Sequence, residues 1–272
     1  MIDKISVMVA DIDGTLTMKG GQMMPHTKAA IQRLHDEGVL FGIASGRPLD
    51  YRIQSKAKEW GLDFDFDFMI GMNGGDLWTK GMDEIQHFNL LPTSTMKEIM
   101  GFLKDVDMNA ISYIRGYDEI WSTRMDDFMK DSIARNHSHV EVVDFDKFCS
   151  VPTGKIEVHY PLEKEEETLK LIEEHKSENF SYVRTFIGTV EFQVPGLNKG
   201  LALTEYCKQQ NIDINEVIAF GDMDNDLGLL KEAGYGVCMQ NGCDACKEIA
   251  DAVTEYSVYE DGVGRYLEDH YF

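Results

Sequence analysis

Apolar and polar residues along the 272-residue chain fall into short blocks that predict alternating strands and helices. Lys4–Ala10 (KISVMVA) is an apolar run, the pattern of a strand buried in a parallel sheet. Pro25 then opens a helical stretch through Glu37, closed by Gly38. Val39–Ala44 (VLFGIA) predicts a second strand, Pro48–Trp60 a helix closed by Gly61, and Phe68–Gly71 a third strand. The same rhythm returns at the other end. Lys199–Gln210 reads as a helix and Glu216–Phe220 as a strand. Asn225–Ala233 reads as a helix closed by Gly234, and Tyr235–Met239 as a strand. Cys243–Ala250 follows as a helix and Asp251–Thr254 as a short strand. Alternation of this kind predicts an α/β fold, a Rossmann-like doubly wound parallel sheet with helices on both faces.

The middle of the chain has a different pattern. Asn109–Arg115 and Asp118–Thr123 predict a hairpin around Gly116, and Ser181–Val194 a second one turning at Gly188. Lys155–Tyr160 (KIEVHY) alternates as a strand does, whereas Thr95–Lys104, Met125–Arg135 and Glu163–His175 carry helical periodicity. The expected organisation is a core made of residues 1–81 and 196–272, interrupted by an inserted α+β domain at 82–195.

Composition narrows the partners. The formal net charge is -22, from 26 basic and 48 acidic side chains. Such a surface repels nucleic acid and anionic membranes, and neither is expected as a partner. It also repels phosphorylated metabolites at long range, so a phosphate site here must be made locally positive by a cation, a lysine and backbone N–H groups. No apolar run has the length of a membrane span, and MIDKISVMVADIDG reaches charged residues too early for a signal peptide. The five cysteines are not spaced as a disulfide framework, which predicts reduced thiols and a cytoplasmic protein. Cys243 and Cys246 form one C-x-x-C without two further zinc ligands, and read as two cysteines on a helix near a core edge.

Four segments at predicted strand ends or helix starts carry candidate chemistry, where open α/β sheets bind ligands. The first is Asp11-Ile12-Asp13-Gly14-Thr15-Leu16-Thr17. Two carboxylates two residues apart, followed by a glycine that lets the chain turn, can face one site. One can attack phosphorus while the other moves protons. The bland alternative is an Asp-Gly turn at a strand end. The second is Ala44-Ser45-Gly46-Arg47-Pro48, whose hydroxyl and backbone N–H groups suit a phosphate oxygen, although Ser-Gly is also an ordinary turn. The third is Asn198-Lys199-Gly200, where an ammonium can neutralise a phosphate or hold a carboxylate. The fourth is Gly221-Asp222-Met223-Asp224-Asn225-Asp226, whose carboxylates suit magnesium. An EF-hand is a poor match because Ala233 stands where its acidic twelfth residue belongs.

Together, in this order, the segments resemble the haloacid dehalogenase superfamily, specifically its Cof-type phosphatases with a type IIB cap. Asn73-Gly74, Asp251-Ala252-Val253-Thr254 and Glu260-Asp261-Gly262-Val263 extend the resemblance over nearly the whole chain. The chain departs from the pattern at Leu229, where many relatives have methionine. It departs again at Cys238-Met239-Gln240-Asn241-Gly242, a stretch often written with Gly-Asn-Ala. The resemblance implies that Asp11 is the nucleophile and Asp13 the general acid and base. It implies Mg2+ on Asp11, the Asp13 carbonyl and Asp222. The phosphoryl group would lie on the Ile12 backbone, Ser45, Gly46, Lys199 and Asn225. Asp226 would orient Lys199 or metal-bound water, Asn73 would face phosphate or substrate, and Asp224 would be solvated. The inserted domain would cover the site and set specificity.

The expected substrate is a small phosphorylated metabolite, a sugar phosphate or similar phosphomonoester, and the oligomeric state is open. One rival reading is a sugar phosphomutase resembling phosphomannomutase, which shares this chemistry and returns the phosphoryl group to the sugar. Another is a non-catalytic phosphometabolite sensor, against which the second aspartate argues, because binding alone needs no acid and base. The pair His137 and His139 has no metal-ligand partners and reads as loop, Glu163–Glu167 reads as an exposed helix face, and Phe64, Phe66 and Phe68 read as one apolar strand face.

Overall fold

The computed structural model describes residues 4–88, 90–116, 118–186 and 188–272. The chain divides into two compact units, Met1–Gln86 with Asn198–Phe272, and His87–Leu197.

In the first limb of the first unit, β1 (Val7–Ala10), β2 (Leu40–Ala44), β3 (Phe68–Gly71) and β4 (Asp76–Thr79) follow one another, with β5 (Gln86–His87) at the end. Between them lie α1 (Pro25–Asp36), α2 (Tyr51–Gln54) and α3 (Lys56–Glu59). The inserted unit contains α4 (Thr93–Leu103), β6 (Asn109–Arg115), β7 (Glu119–Ser122), α5 (Asp127–Asn136), β8 (Val140–Val142) and α6 (Phe145–Phe148). It continues with β9 (Ile156–His159), α7 (Glu165–Glu174), β10 (Ser181–Phe186) and β11 (Thr189–Gln193). The chain then re-enters the first unit with α8 (Lys199–Gln210), β12 (Val217–Gly221), α9 (Leu227–Glu232), β13 (Tyr235–Cys238), α10 (Asp244–Ile249), β14 (Ala252–Val253) and α11 (Gly262–Tyr271).

The larger sheet has the order β14-β13-β12-β1-β2-β3-β4-β5. From β14 to β3 every pairing is parallel, and β4 pairs antiparallel with β3. All four β1 residues are buried, as are all four of β3 and all five of β12, which is why these runs lack polar alternation. On α1, Thr27, Ala30, Ile31 and Leu34 are buried, the stripe of a helix laid on a sheet. No helix among the described residues is long and apolar enough to cross a membrane.

One helical expectation differs from the structure, and one helix was not expected. Pro48–Trp60 is two single turns. The Asp50 carboxylate caps the Arg52 and Ile53 N–H groups, so helix begins after it, and the Ser55 hydroxyl donates to the Arg52 carbonyl at the break. Helix α11 carries no sequence forecast at all. Its start is Asp261 at φ +67 followed by Gly262, and Gly264 lies in its first turn, all weak helix formers. Packing explains the last glycine: a Cβ on Gly264 would run into the backbone of His26 and Thr27 in α1. Asp261 pins the same contact by accepting from the His26 N–H (2.7 Å), the Thr27 N–H (2.8 Å) and the Thr27 hydroxyl (2.6 Å).

The inserted unit is a six-stranded sheet of order β10-β11-β9-β6-β7-β8, antiparallel except at β7 and β8. Ile156, Val158, Val190 and Phe192 pack with Ile99, Met100 and Leu103 of α4 and Ile172 of α7. On the other face Lys155, Glu157 and Glu191 are buried and His159 is partly buried. Lys155 reaches Glu191 (2.7 Å) and Glu157 (3.7 Å), and His159 reaches Glu157 (2.6 Å).

Candidate active site

Strands β1 and β12 lie side by side, and the chain leaves them in opposite directions, β1 toward β2 and β12 toward β13. That divergence opens a crevice beyond their carboxyl ends. Asp11 directly follows β1, and its N–H donates to the Phe220 carbonyl of β12 (3.0 Å). Asp222 directly follows β12. The two loops are locked together. The Thr15 hydroxyl donates to Asp222 Oδ1 (2.8 Å), and Asn241 Nδ2 donates to the Gly14 carbonyl (2.9 Å). Gly14 has φ +98, and a Cβ there would sit on the Asp222 carboxylate, so only glycine lets the loops close this far.

Lys199, the first residue of α8, is fully buried. Its ammonium donates to Asp11 Oδ1 (2.5 Å) and Asp226 Oδ1 (2.5 Å). The other Asp226 oxygen accepts from the Asp222 N–H (2.9 Å) and the Met223 N–H (3.1 Å), so Asp226 is committed to holding the lysine and its own loop. Oxygens of Asp11, Asp222 and Asp226 all lie within 4.8 Å of one another.

Charge in this cluster is unbalanced: three buried carboxylates face one ammonium. Burial pushes the Asp11 carboxyl well above the usual carboxylate range; Lys199 pulls against that, and Asp226 and Asp222 reinforce it. Burial, reinforced by Asp226, lifts Asp222 to about 7. Burial alone would disfavour the Lys199 charge, but Asp11 and Asp226 outweigh it and hold the ammonium. Hard oxygen donors with two negative charges in excess fit a small divalent cation such as magnesium, with Asp11 and Asp222 free to offer an oxygen each.

The remaining candidates lie around this centre. Ser45 is buried after β2, and its oxygen accepts from the Arg47 N–H (3.2 Å). Gly46 lies against the Asn73 side chain. Asn225 Nδ2 donates to Asn73 Oδ1 (3.1 Å), which links the fourth segment to the turn after β3. That turn is strained, with Met72 at φ +50 and Asn73 at φ +55. The Ile12 side chain is in the core, which leaves its backbone for the site. Asp224 is exposed.

Asp13 points its carboxylate at Arg47, whose Nε donates to Oδ2 (3.0 Å) and whose terminal nitrogen donates to Oδ1 (2.8 Å) and Oδ2 (2.6 Å). Sequence reasoning assigned Arg47, Thr15 and Asn241 no role. Arg47 and Thr15 lie inside the second and first of the four segments, but their partners are 34 and 207 residues away, and nothing local announces either pair. Asn241 lay in a segment that departs from the familiar pattern, so no precedent flagged it.

The chain is similar throughout its length to known proteins. It is 27% identical to the 5-amino-6-(5-phospho-D-ribitylamino)uracil phosphatase YitU of Bacillus subtilis, covering 100% of this chain and 99% of that protein. It is 26% identical to the Escherichia coli phosphatase YbjI of the same named activity, over 87% of this chain and 86% of that protein. A haloacid dehalogenase-like hydrolase from Bacteroides thetaiotaomicron superposes with TM-score 0.82 at 26% identity, covering 98% and 99% of the two chains. The family model for haloacid dehalogenase-like hydrolases matches residues 8–267, which hold every residue of the crevice described above, and the chain therefore belongs to that family.

Proposed function

We propose that the protein is a magnesium-dependent phosphoric monoester hydrolase that cleaves a small phosphorylated metabolite through an aspartyl phosphate on Asp11. The observation that carries this reading is the buried contact of Asp11 with Lys199 beside Asp222, at the junction of β1 and β12. Lys199 fixes one Asp11 oxygen, leaving the other to attack phosphorus in line with the leaving oxygen. The Lys199 ammonium, the Ser45 hydroxyl, Asn225 and the backbone at Ile12 and Gly46 cradle the phosphoryl oxygens. Asp13 gives a proton to the leaving oxygen, then takes one from the water that hydrolyses the acyl phosphate. Asp11, the Asp13 carbonyl and Asp222 would hold Mg2+, which would supply charge neutralisation at the phosphoryl oxygens and let one anion approach another.

Water as the final acceptor is favoured over a returning sugar because the named relatives are phosphatases. Those relatives are named for activity on a phosphorylated ribityl chain, which makes a phosphorylated polyol or sugar the substrate class to screen first. The test is hydrolysis of nitrophenyl phosphate and of a panel of polyol and sugar phosphates, with added magnesium and with EDTA. Activity that requires magnesium and releases free phosphate is expected. Full turnover in EDTA-treated protein, or isomerised sugar phosphate without free phosphate, would defeat the proposal.

A further inference from the structure

Beside the acidic loop lies a group of three thiols that the proposed reaction does not use. Cys238 ends β13, Cys243 is the N-cap of α10, and Cys246 is the third residue of that helix. All are free cysteines; Cys238 and Cys246 are buried, and Cys243 is partly accessible. Cys243 and Cys246 lie three residues apart at the start of α10, and both turn their thiols to adjacent residues of the acidic loop. Two of the thiols brace the loop that carries Asp222 and Asp226. Cys246 Sγ donates to the Met223 carbonyl (3.0 Å), and Cys243 Sγ donates to Asp224 Oδ1 (3.2 Å). The Cys243 N–H adds a bond to the Asp222 carbonyl (2.8 Å).

We infer that Cys243 and Cys246 are an oxidation site that closes to a disulfide and thereby loosens the cation-binding loop. The N-cap and the third helical residue are one turn apart and their sulfurs contact the neighbouring residues Asp224 and Met223, so rotation of the Cys243 side chain can close a disulfide without moving β13. Cys243 is the accessible member and meets the oxidant first. With a peroxide as oxidant, the Cys243 sulfur attacks one oxygen, an S–O bond forms, and the O–O bond breaks. This gives a sulfenic acid and one water. The Cys246 sulfur then attacks the Cys243 sulfur, the S–S bond forms, the S–O bond breaks, and the second water leaves with the two thiol protons accounted for. Each sulfur gives up one electron, and the peroxide takes both.

The consequence follows from donor chemistry. A disulfide has no S–H, so the bonds to the Met223 carbonyl and to Asp224 Oδ1 are both lost. Loss of two such bonds from one short loop weakens the site that the loop presents by about fivefold. This step rests on the reading of Asp11 and Asp222 as cation ligands, whereas the disulfide itself does not.

The test uses the full chain, reduced and then treated with hydrogen peroxide, with free thiols alkylated before digestion. All three cysteines fall in one tryptic peptide, so cleavage after Met239 and before Asp244 is needed to separate them. The expected product is a Gln240–Cys243 fragment joined to the fragment holding Cys246, released by dithiothreitol. Magnesium binding is followed by its effect on the melting temperature, which needs no turnover. The oxidised protein should require about fivefold more magnesium for the same shift, and dithiothreitol should restore it. Cys243→Ser keeps a hydroxyl to donate to Asp224, and should bind magnesium as the reduced protein does before and after peroxide. A bond to Cys238 instead, no bond at all, or the same peroxide effect in Cys243→Ser would overturn the inference. A mapped Cys243–Cys246 bond with no magnesium effect on the reduced protein would defeat the cation reading while leaving the disulfide assigned.

Discussion

At the scale of single residues, the acid and base of the proposed reaction is held by a partner the motifs did not announce. Both Asp13 oxygens are gripped by Arg47. A planar fork of this kind sets the rotamer of a carboxylate as well as its charge, and a lysine cannot reproduce it. In the proposed reaction Asp13 leaves the fork to protonate a leaving oxygen and returns as the proton is passed on. On that proposal Arg47 acts through Asp13, as a positioning residue. Arg47→Leu should lower kcat on a sugar or polyol phosphate about tenfold, with KM little changed. The loss should be much smaller on nitrophenyl phosphate, whose leaving group needs no proton, and Arg47→Lys should not rescue. Steady-state kinetics on both substrates decides. Equal losses on the two would make Arg47 merely structural. The residues legible in advance were those whose role follows from type and spacing, such as the Asp11 and Asp13 pair or the acidic loop at Asp222. Those that were not, Arg47, Thr15 and Asn241, act through partners distant in sequence.

At the scale of elements, parallel strands and amphipathic helices were legible because burial leaves a plain periodic mark. The elements that escaped are those whose stability comes from elsewhere. Helix α11 starts against its own propensity and is held against α1 by Asp261, and β4 is only four residues long, next to the two-residue edge strand β5. Strand β9 shows a different limit. Its alternation suggests one apolar and one polar face, yet Glu157, Glu191 and Lys155 on the second face are buried. Burial raises the cost of the Glu157 charge, but hydrogen bonds from His159 and Tyr113 and the nearby Lys155 charge prevail, and its carboxyl falls to about 2. The unfolded chain takes up this proton near the ordinary glutamate value of 4.5, and the folded chain resists until about 2. Between these values the unfolded state binds more protons, so stability rises with pH across that window and is lost on acidification. Glu157→Gln should flatten this part of the acid response while costing ~3 kcal/mol near neutrality, because it leaves its buried partners short of charge. Denaturant midpoints against pH, with hydrogen exchange read in β9 and β11, provide the check. An unchanged acid slope in the variant would contradict the assignment.

At the scale of the whole molecule, the proposed chemistry is confined to the unit formed by the two ends of the chain. Asp11, Asp13, Ser45, Arg47 and Asn73 come from the first limb, and Lys199, Asp222, Asn225 and Asp226 from the second. The parallel pairing of β1 with β12 unites them across more than 200 residues. That long-range pairing was legible as a fold class because βα alternation admits few topologies. With a formal net charge of -22 and two negative charges in excess among the crevice residues, the proposed site would need a bound cation beside Lys199 to hold a phosphoryl group. Everything in this account turns on which atom of the protein takes the phosphoryl group. Rapid-quench trapping with substrate labelled at phosphorus, followed by peptide mapping, reads that atom directly. The account predicts label on Asp11, acid-stable and released by hydroxylamine. The label should build up in Asp13→Asn, where hydrolysis of the intermediate lacks its base, and neither label nor turnover should appear in folded Asp11→Asn. Label on any other residue, or normal turnover by Asp11→Asn, would contradict it.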